Sequence, residues 1–112
     1  MNTQPVVLIT GALTGIGRAT ALAYARDKAR VVVSGRRDEA GRALAEELRA
    51  LGGEVEYIRA DVSKEDEVRA LVEGTIERFG RLDIAVNAAG AEGEPGPVTG
   101  QLFLMGTWTP PE

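Results

Sequence analysis

The chain of 112 residues has the length of one domain, and its 44% hydrophobic and 27% charged residues are the balance of a globular fold. Its formal net charge of -4 argues against a nucleic-acid surface and against a polybasic membrane anchor. Cysteine and histidine are both absent, which excludes disulfides, thiolate nucleophiles, zinc–cysteine sites and imidazole bases, and no metal site is expected.

The N-terminal stretch MNTQPVVLIT has no basic segment and no apolar run long enough for a signal or a membrane span, so a cytoplasmic location is expected. Within it, PVVLIT (5–10) is a continuous apolar run ended by Gly11, the pattern of a strand buried on both faces. From Ile16 to about Lys28 the small residues Ala19, Thr20 and Ala23 recur at helical spacing, which suits a helix packed closely on a sheet. RVVVSG (30–35) reads as a second buried strand. A helix follows with Ala40, Ala43, Leu44, Leu48 and Leu51 on one stripe; Asp38 is placed to cap its start, and Gly52 or Gly53 its end. EVEYIRAD (54–61) alternates as a strand near the sheet edge should. Ser63 and Asp66 resemble a capping box for a helix whose Val68, Leu71, Val72, Ile76 and Phe79 share one face. LDIAVNAAG (82–90) is a fourth strand running into a turn of small residues.

The order β-α-β-α-β-α-β predicts an α/β fold, a Rossmann-like doubly wound parallel sheet of four strands in the order 3-2-1-4 with helices on both faces. Residues 1–90 form the expected dinucleotide-binding unit, and 91–112 a Gly/Pro-rich loop and an atypical tail. Stopping at four strands would leave the fourth as an edge open to self-association, unless the run Leu102, Phe103, Leu104 and Met105, with Trp108, covers it.

Gly11, Gly15 and Gly17 are spaced G-x-x-x-G-x-G between a strand and a helix. Glycine lets the backbone turn tightly and approach a pyrophosphate, toward which the next helix aims its unpaired N–H groups. TGALTGIG resembles the T-G-x-x-x-G-x-G fingerprint of the short-chain dehydrogenase/reductase family. ADV (60–62) is similar to that family's D-V pair after the third strand, and NAAG (87–90) to its N-N-A-G after the fourth, with Ala88 replacing an asparagine. The resemblance implies that Gly11, Thr14, Gly15, Ile16 and Gly17 wrap the phosphates and nearby ribose of a dinucleotide. It implies that Asp61 and Val62 meet the adenine, and that Asn87, Ala88 and Gly90 line the floor under the nicotinamide-side ribose.

Cofactor choice is written at the end of the second strand, where a carboxylate would hold the ribose hydroxyls of NAD(H). Here SGRR places Gly35 at that point, followed by Arg36 and Arg37, which are suited to a 2′-phosphate, so NADP(H) is expected over NAD(H). The alternative is a solvated loop in which these arginines pair with Asp38 or Glu39.

The family's reaction, alcohol–carbonyl hydride transfer, uses a serine and a Y-x-x-x-K pair. YARDK (24–28) has the spacing but lies on the helix after the glycines, so Tyr24 is read as packing, and Tyr57 has Asp61 four residues on. No catalytic residue is assigned. The resemblance fades after about residue 99, so the chain is expected to be truncated or frameshifted there, inactive alone, and to take a small carbonyl or alcohol substrate only if completed. A non-catalytic dinucleotide-binding module or sensor, and a non-functional product, are the alternatives.

Overall fold

The computed structural model describes residues 4–13 and 15–88, together with the backbone of Phe103–Met105. The elements are β1 (Val6–Thr10), α1 (Gly15–Arg26), β2 (Arg30–Gly35), α2 (Asp38–Arg49), β3 (Glu54–Arg59), α3 (Glu65–Phe79), β4 (Ile84–Asn87) and β5 (Phe103–Met105). The sheet runs β3-β2-β1-β4-β5, with the first four strands parallel in the expected order 3-2-1-4.

A fifth strand adds to that order, as the alternative for the apolar run at Phe103, Leu104 and Met105 allowed. β5 pairs antiparallel along β4, Ala85 opposite Met105 and Asn87 opposite Phe103, so β4 is not an edge. A short apolar segment satisfies backbone groups that a terminal β4 would leave unpaired. The rest of the tail, including Leu102 and Trp108, lies outside the described residues, as does the expected boundary near residue 90.

Two cores sandwich the sheet. On one face Val7, Ile9, Val31, Val33 and Val55 pack against Ala21, Ala25, Leu44, Ala45 and Leu48 of α1 and α2. On the other, Leu8 and Val32 pack with Ala60, Leu71 and Leu82, joined by Ile58 of β3 and by Val72, Ile76 and Phe79 along α3. Strands buried on both faces have no solvent side, which is why every residue of β1 is buried and apolar except Thr10.

Helix phase and caps differ from the sequence reading. The inner stripe of α1 is Gly17, Ala21 and Ala25, while Ala19 and Ala23 are exposed. In α2 the buried stripe is Gly41, Leu44, Ala45 and Leu48, and Ala43 faces solvent. Small residues lie on several sides of α1, so tertiary packing sets its phase. Asp38 does not cap α2: Arg37 holds the cap position with no side-chain bond, and Asp38 begins the helix itself. The Ser63–Asp66 box is likewise not formed, because Lys64 holds the α3 cap and the Ser63 hydroxyl donates to Asp61 instead. Three acidic residues in the first turn, Glu65, Asp66 and Glu67, complement the positive end of α3. At the base of the sheet, Asp83 accepts the Val6 N–H at 2.8 Å and the Arg81 guanidinium at 2.9 Å, tying the approach to β4 to the start of β1.

Candidate functional site

Four parallel strands end on one side of the sheet, and the residues after three of them extend the hydrogen-bond ladder. Ala12, Ala60 and Ala88 donate their N–H groups to the carbonyls of Ser34 (3.2 Å), Gly35 (3.1 Å) and Thr10 (3.0 Å). All three alanines are buried. The Thr10 hydroxyl adds a bond to the Asn87 side-chain oxygen at 2.8 Å. The strand ends are thus stitched into one rim, and every sequence-predicted residue that the structure describes lies on it or on the turns just above.

The glycine turn closes over the end of β1. Gly11 and Gly15 have φ of 66° and 58°, the left-handed region that favours glycine. A β-carbon on Gly17 would stand 1.9 Å from the Gly11 carbonyl oxygen, so the first turn of α1 rests directly on the strand end. That places the helix's unpaired N–H groups and positive dipole end at the rim. Thr14 and Gly90 lie outside the described residues.

Among the described residues, the large hydrophobic side chains left exposed are Ile16 at 45% and Val62 at 36%. Ile16 follows β1 and Val62 follows β3, so the end of β2 lies between them.

At the end of β2, Gly35 has its Cα against Leu13, whose Cδ1 would be 2.6 Å from an added β-carbon. Arg36 and Arg37 follow, both exposed, and neither side chain makes a hydrogen bond or an ion pair within 4.0 Å with another described residue. The pairing with Asp38 or Glu39 is therefore not formed. Asp38 instead accepts from Tyr57 at 3.1 Å and lies 4.0 Å from Arg59.

Asp61, just past β3, receives the Ser63 hydroxyl at 2.7 Å and the Ser63 N–H at 3.0 Å, both on Oδ1. These two bonds hold its carboxyl below the usual range, with the charges of Arg36 and Lys64 adding to them. The Asp61 N–H donates to Glu67 at 2.8 Å, so α3 also holds the turn in place.

Sequence reasoning missed Leu13, Glu67 and above all Tyr57. The Tyr57 hydroxyl lies 3.1 Å from both the Gly35 carbonyl and Asp38 Oδ1, and shares its one proton between them. Burial, and then the bond to Asp38, push its pKa up to about 12, so it stays protonated at neutral pH. The only available signal was its alternation with Val55 on β3, which predicts burial but not a partner. Tyr24 packs against the α1–α2 core, and Lys28 follows the helix with φ of 63°.

The short chain dehydrogenase family model matches residues 5–101. The chain is 43% identical over 90 residues to a 3beta-hydroxysteroid dehydrogenase of Mediterraneibacter gnavus, an alignment covering 80% of this chain and 33% of that protein. A crystal structure of the NADH-dependent reductase A1-R' complexed with NAD superposes with a TM-score of 0.72 at 40% identity, over 78% of this chain and 36% of that one. An actinorhodin polyketide ketoreductase variant, crystallised with NADPH, gives 0.75 at 39%, over 80% and 35%. The chain therefore spans about a third of the length of these relatives. No helix among the described residues is long and apolar enough to cross a membrane. By family model, by relatives and by solved structures alike, the chain belongs to the short chain dehydrogenase family.

Proposed function

We propose that the carboxyl end of this sheet binds NADP(H), and that the chain is the cofactor-binding portion of an oxidoreductase interconverting alcohols and carbonyls. The observation that carries this is the cradle itself, with Gly17 seated on the Gly11 carbonyl so that the start of α1 faces the rim. A β-carbon on Gly17 would collide with the Gly11 backbone and lift the helix terminus, which supplies the N–H donors, off the strand end.

Around the cradle, Gly11, Thr14, Gly15, Ile16 and Gly17 would hold the diphosphate and nearby ribose, while Asp61 and Val62 would receive the adenine. Asn87, Ala88 and Gly90 would lie beneath the nicotinamide-side ribose. Bound there, the nicotinamide supplies the hydride chemistry. Arg36 and Arg37, exposed and unpaired among the described residues, favour a cofactor with a 2′-phosphate. Gly35 has no carboxylate to hold a ribose diol. The relatives include proteins solved with NAD and with NADPH, so family membership leaves this preference to the residues at the end of β2.

Proton transfer has no assigned residue here. Half-buried Tyr24 packs against the core, and the Tyr57 hydroxyl donates to Asp38. The chain's part is therefore to bind and orient the cofactor.

Calorimetric titration of the 112-residue chain with NADPH and NADH tests the proposal. Charge-assisted bonds to a 2′-phosphate should tighten NADPH by about tenfold or more. Arg36→Ala should remove most of that advantage and leave NADH unchanged. Equal or tighter NADH binding would overturn the preference, and binding of neither would overturn the site.

A further inference from the structure

We infer that Tyr57 is a positioning residue for the Arg36–Arg37 pair and so helps to determine which dinucleotide the chain selects. This rests on reading those arginines as 2′-phosphate ligands. Tyr57 touches the chain on either side of them. Its hydroxyl bridges the Gly35 carbonyl, at the last residue of β2, and the carboxylate of Asp38, at the first residue of α2, each at 3.1 Å. Only Arg36 and Arg37 lie between these two anchor points.

Each anchor is held from other directions as well. Gly35 rests on Leu13, and its carbonyl also accepts the Ala60 N–H. The Arg37 carbonyl accepts the Gly41 N–H at 2.9 Å, inside the first turn of α2. The Tyr57 ring lies flush on α2, where a β-carbon at Gly41 would be 2.1 Å from Cε1. The ring thus sets the height of the helix above β3, and the hydroxyl sets the span from Gly35 to Asp38. Two long cationic side chains springing from a backbone held at both ends meet a phosphate with less ordering cost than they would from a loose loop.

The test compares 2′,5′-ADP with 5′-AMP, which differ only in the 2′-phosphate, by calorimetry on the parent chain, Tyr57→Phe and Gly41→Ala. Tyr57→Phe keeps the ring and removes the bridge; Gly41→Ala keeps the hydroxyl and displaces the ring. Both variants should weaken 2′,5′-ADP by roughly three- to tenfold and leave 5′-AMP within about twofold. A Tyr57→Phe melting temperature close to the parent's, with that selective loss, separates positioning from general destabilisation. Parent selectivity that survives Tyr57→Phe overturns the inference alone. Equal binding of the two nucleotides by the parent overturns the 2′-phosphate reading and the inference with it.

Discussion

Gly17 stands so close to Gly11 that a β-carbon on residue 17 would lie 1.9 Å from the Gly11 carbonyl oxygen and 2.7 Å from its carbon. No side-chain rotation relieves such an approach, because the obstacle is backbone. Gly17→Ala should therefore lift the start of α1 off β1, destabilising the fold by about 1–3 kcal/mol through overpacking. NADPH affinity should fall at least as steeply, since the N–H groups move with the helix. Thermal melts and nucleotide titration of the variant check both effects; a variant with parental stability would show that the helix does not rest on the strand.

Gly35 meets a softer obstacle. A β-carbon there would stand 2.6 Å from Cδ1 and 2.7 Å from Cγ of Leu13, a side chain that can turn away. Gly35→Asp alone should lose about 1–3 kcal/mol of stability and gain little NADH affinity. Gly35→Asp with Leu13→Ala should recover much of that stability and shift preference toward NADH, as a carboxylate at the end of β2 then reaches the ribose hydroxyls. The ratio of NADH to NADPH dissociation constants in the single and double variants decides the point.

Asp83 links the base of the sheet to acid stability. Burial alone would raise its pKa, but the Val6 N–H and then Arg81 outweigh burial, and the carboxyl is held below its ordinary value of 3.8. A carboxyl depressed by folding contributes stability above the unfolded pKa and loses that contribution as pH falls through the folded one. Asp83→Asn should cost about 1–3 kcal/mol near neutrality. The parent and variant denaturation midpoints should then converge as pH drops below 3.8. A gap that stays constant with pH would show that the charge of Asp83 contributes nothing.

Ser34 presents the opposite case. It is buried to 1% exposure, and its hydroxyl has no hydrogen-bond partner among the described residues. An unpaired buried hydroxyl is unfavourable, so Ser34→Ala should be neutral or stabilise by up to about 1 kcal/mol. Chemical denaturation of the variant checks this. A loss above that size would reveal a partner for the hydroxyl.

Much of this protein was legible in one dimension. A strand covered on both faces has to be apolar throughout, so Val6–Ile9 and Val31–Val33 announce parallel strands. Glycines at 11, 15 and 17 mark a turn that only they can make, and two of them do adopt left-handed backbone. Asp61 and Asn87 reach one rim because Asn87 ends β4 and Asp61 lies two residues past β3, and parallel strands bring their carboxyl ends together whatever lies between them.

Only tertiary structure decided the rest. α1 is lined with alanine on several sides, so its pattern has no phase until the sheet selects Ala21 and Ala25 over Ala19 and Ala23. Asp38 has the residue type of a helix cap, yet its partner is a tyrosine 19 positions away on a strand packed against the same helix. β5 depends on the unpaired edge of β4, which no local period records. Periodicity reports which face of an element is apolar; the partner of a particular polar atom depends on contacts between distant segments, and these exist only once the chain has folded.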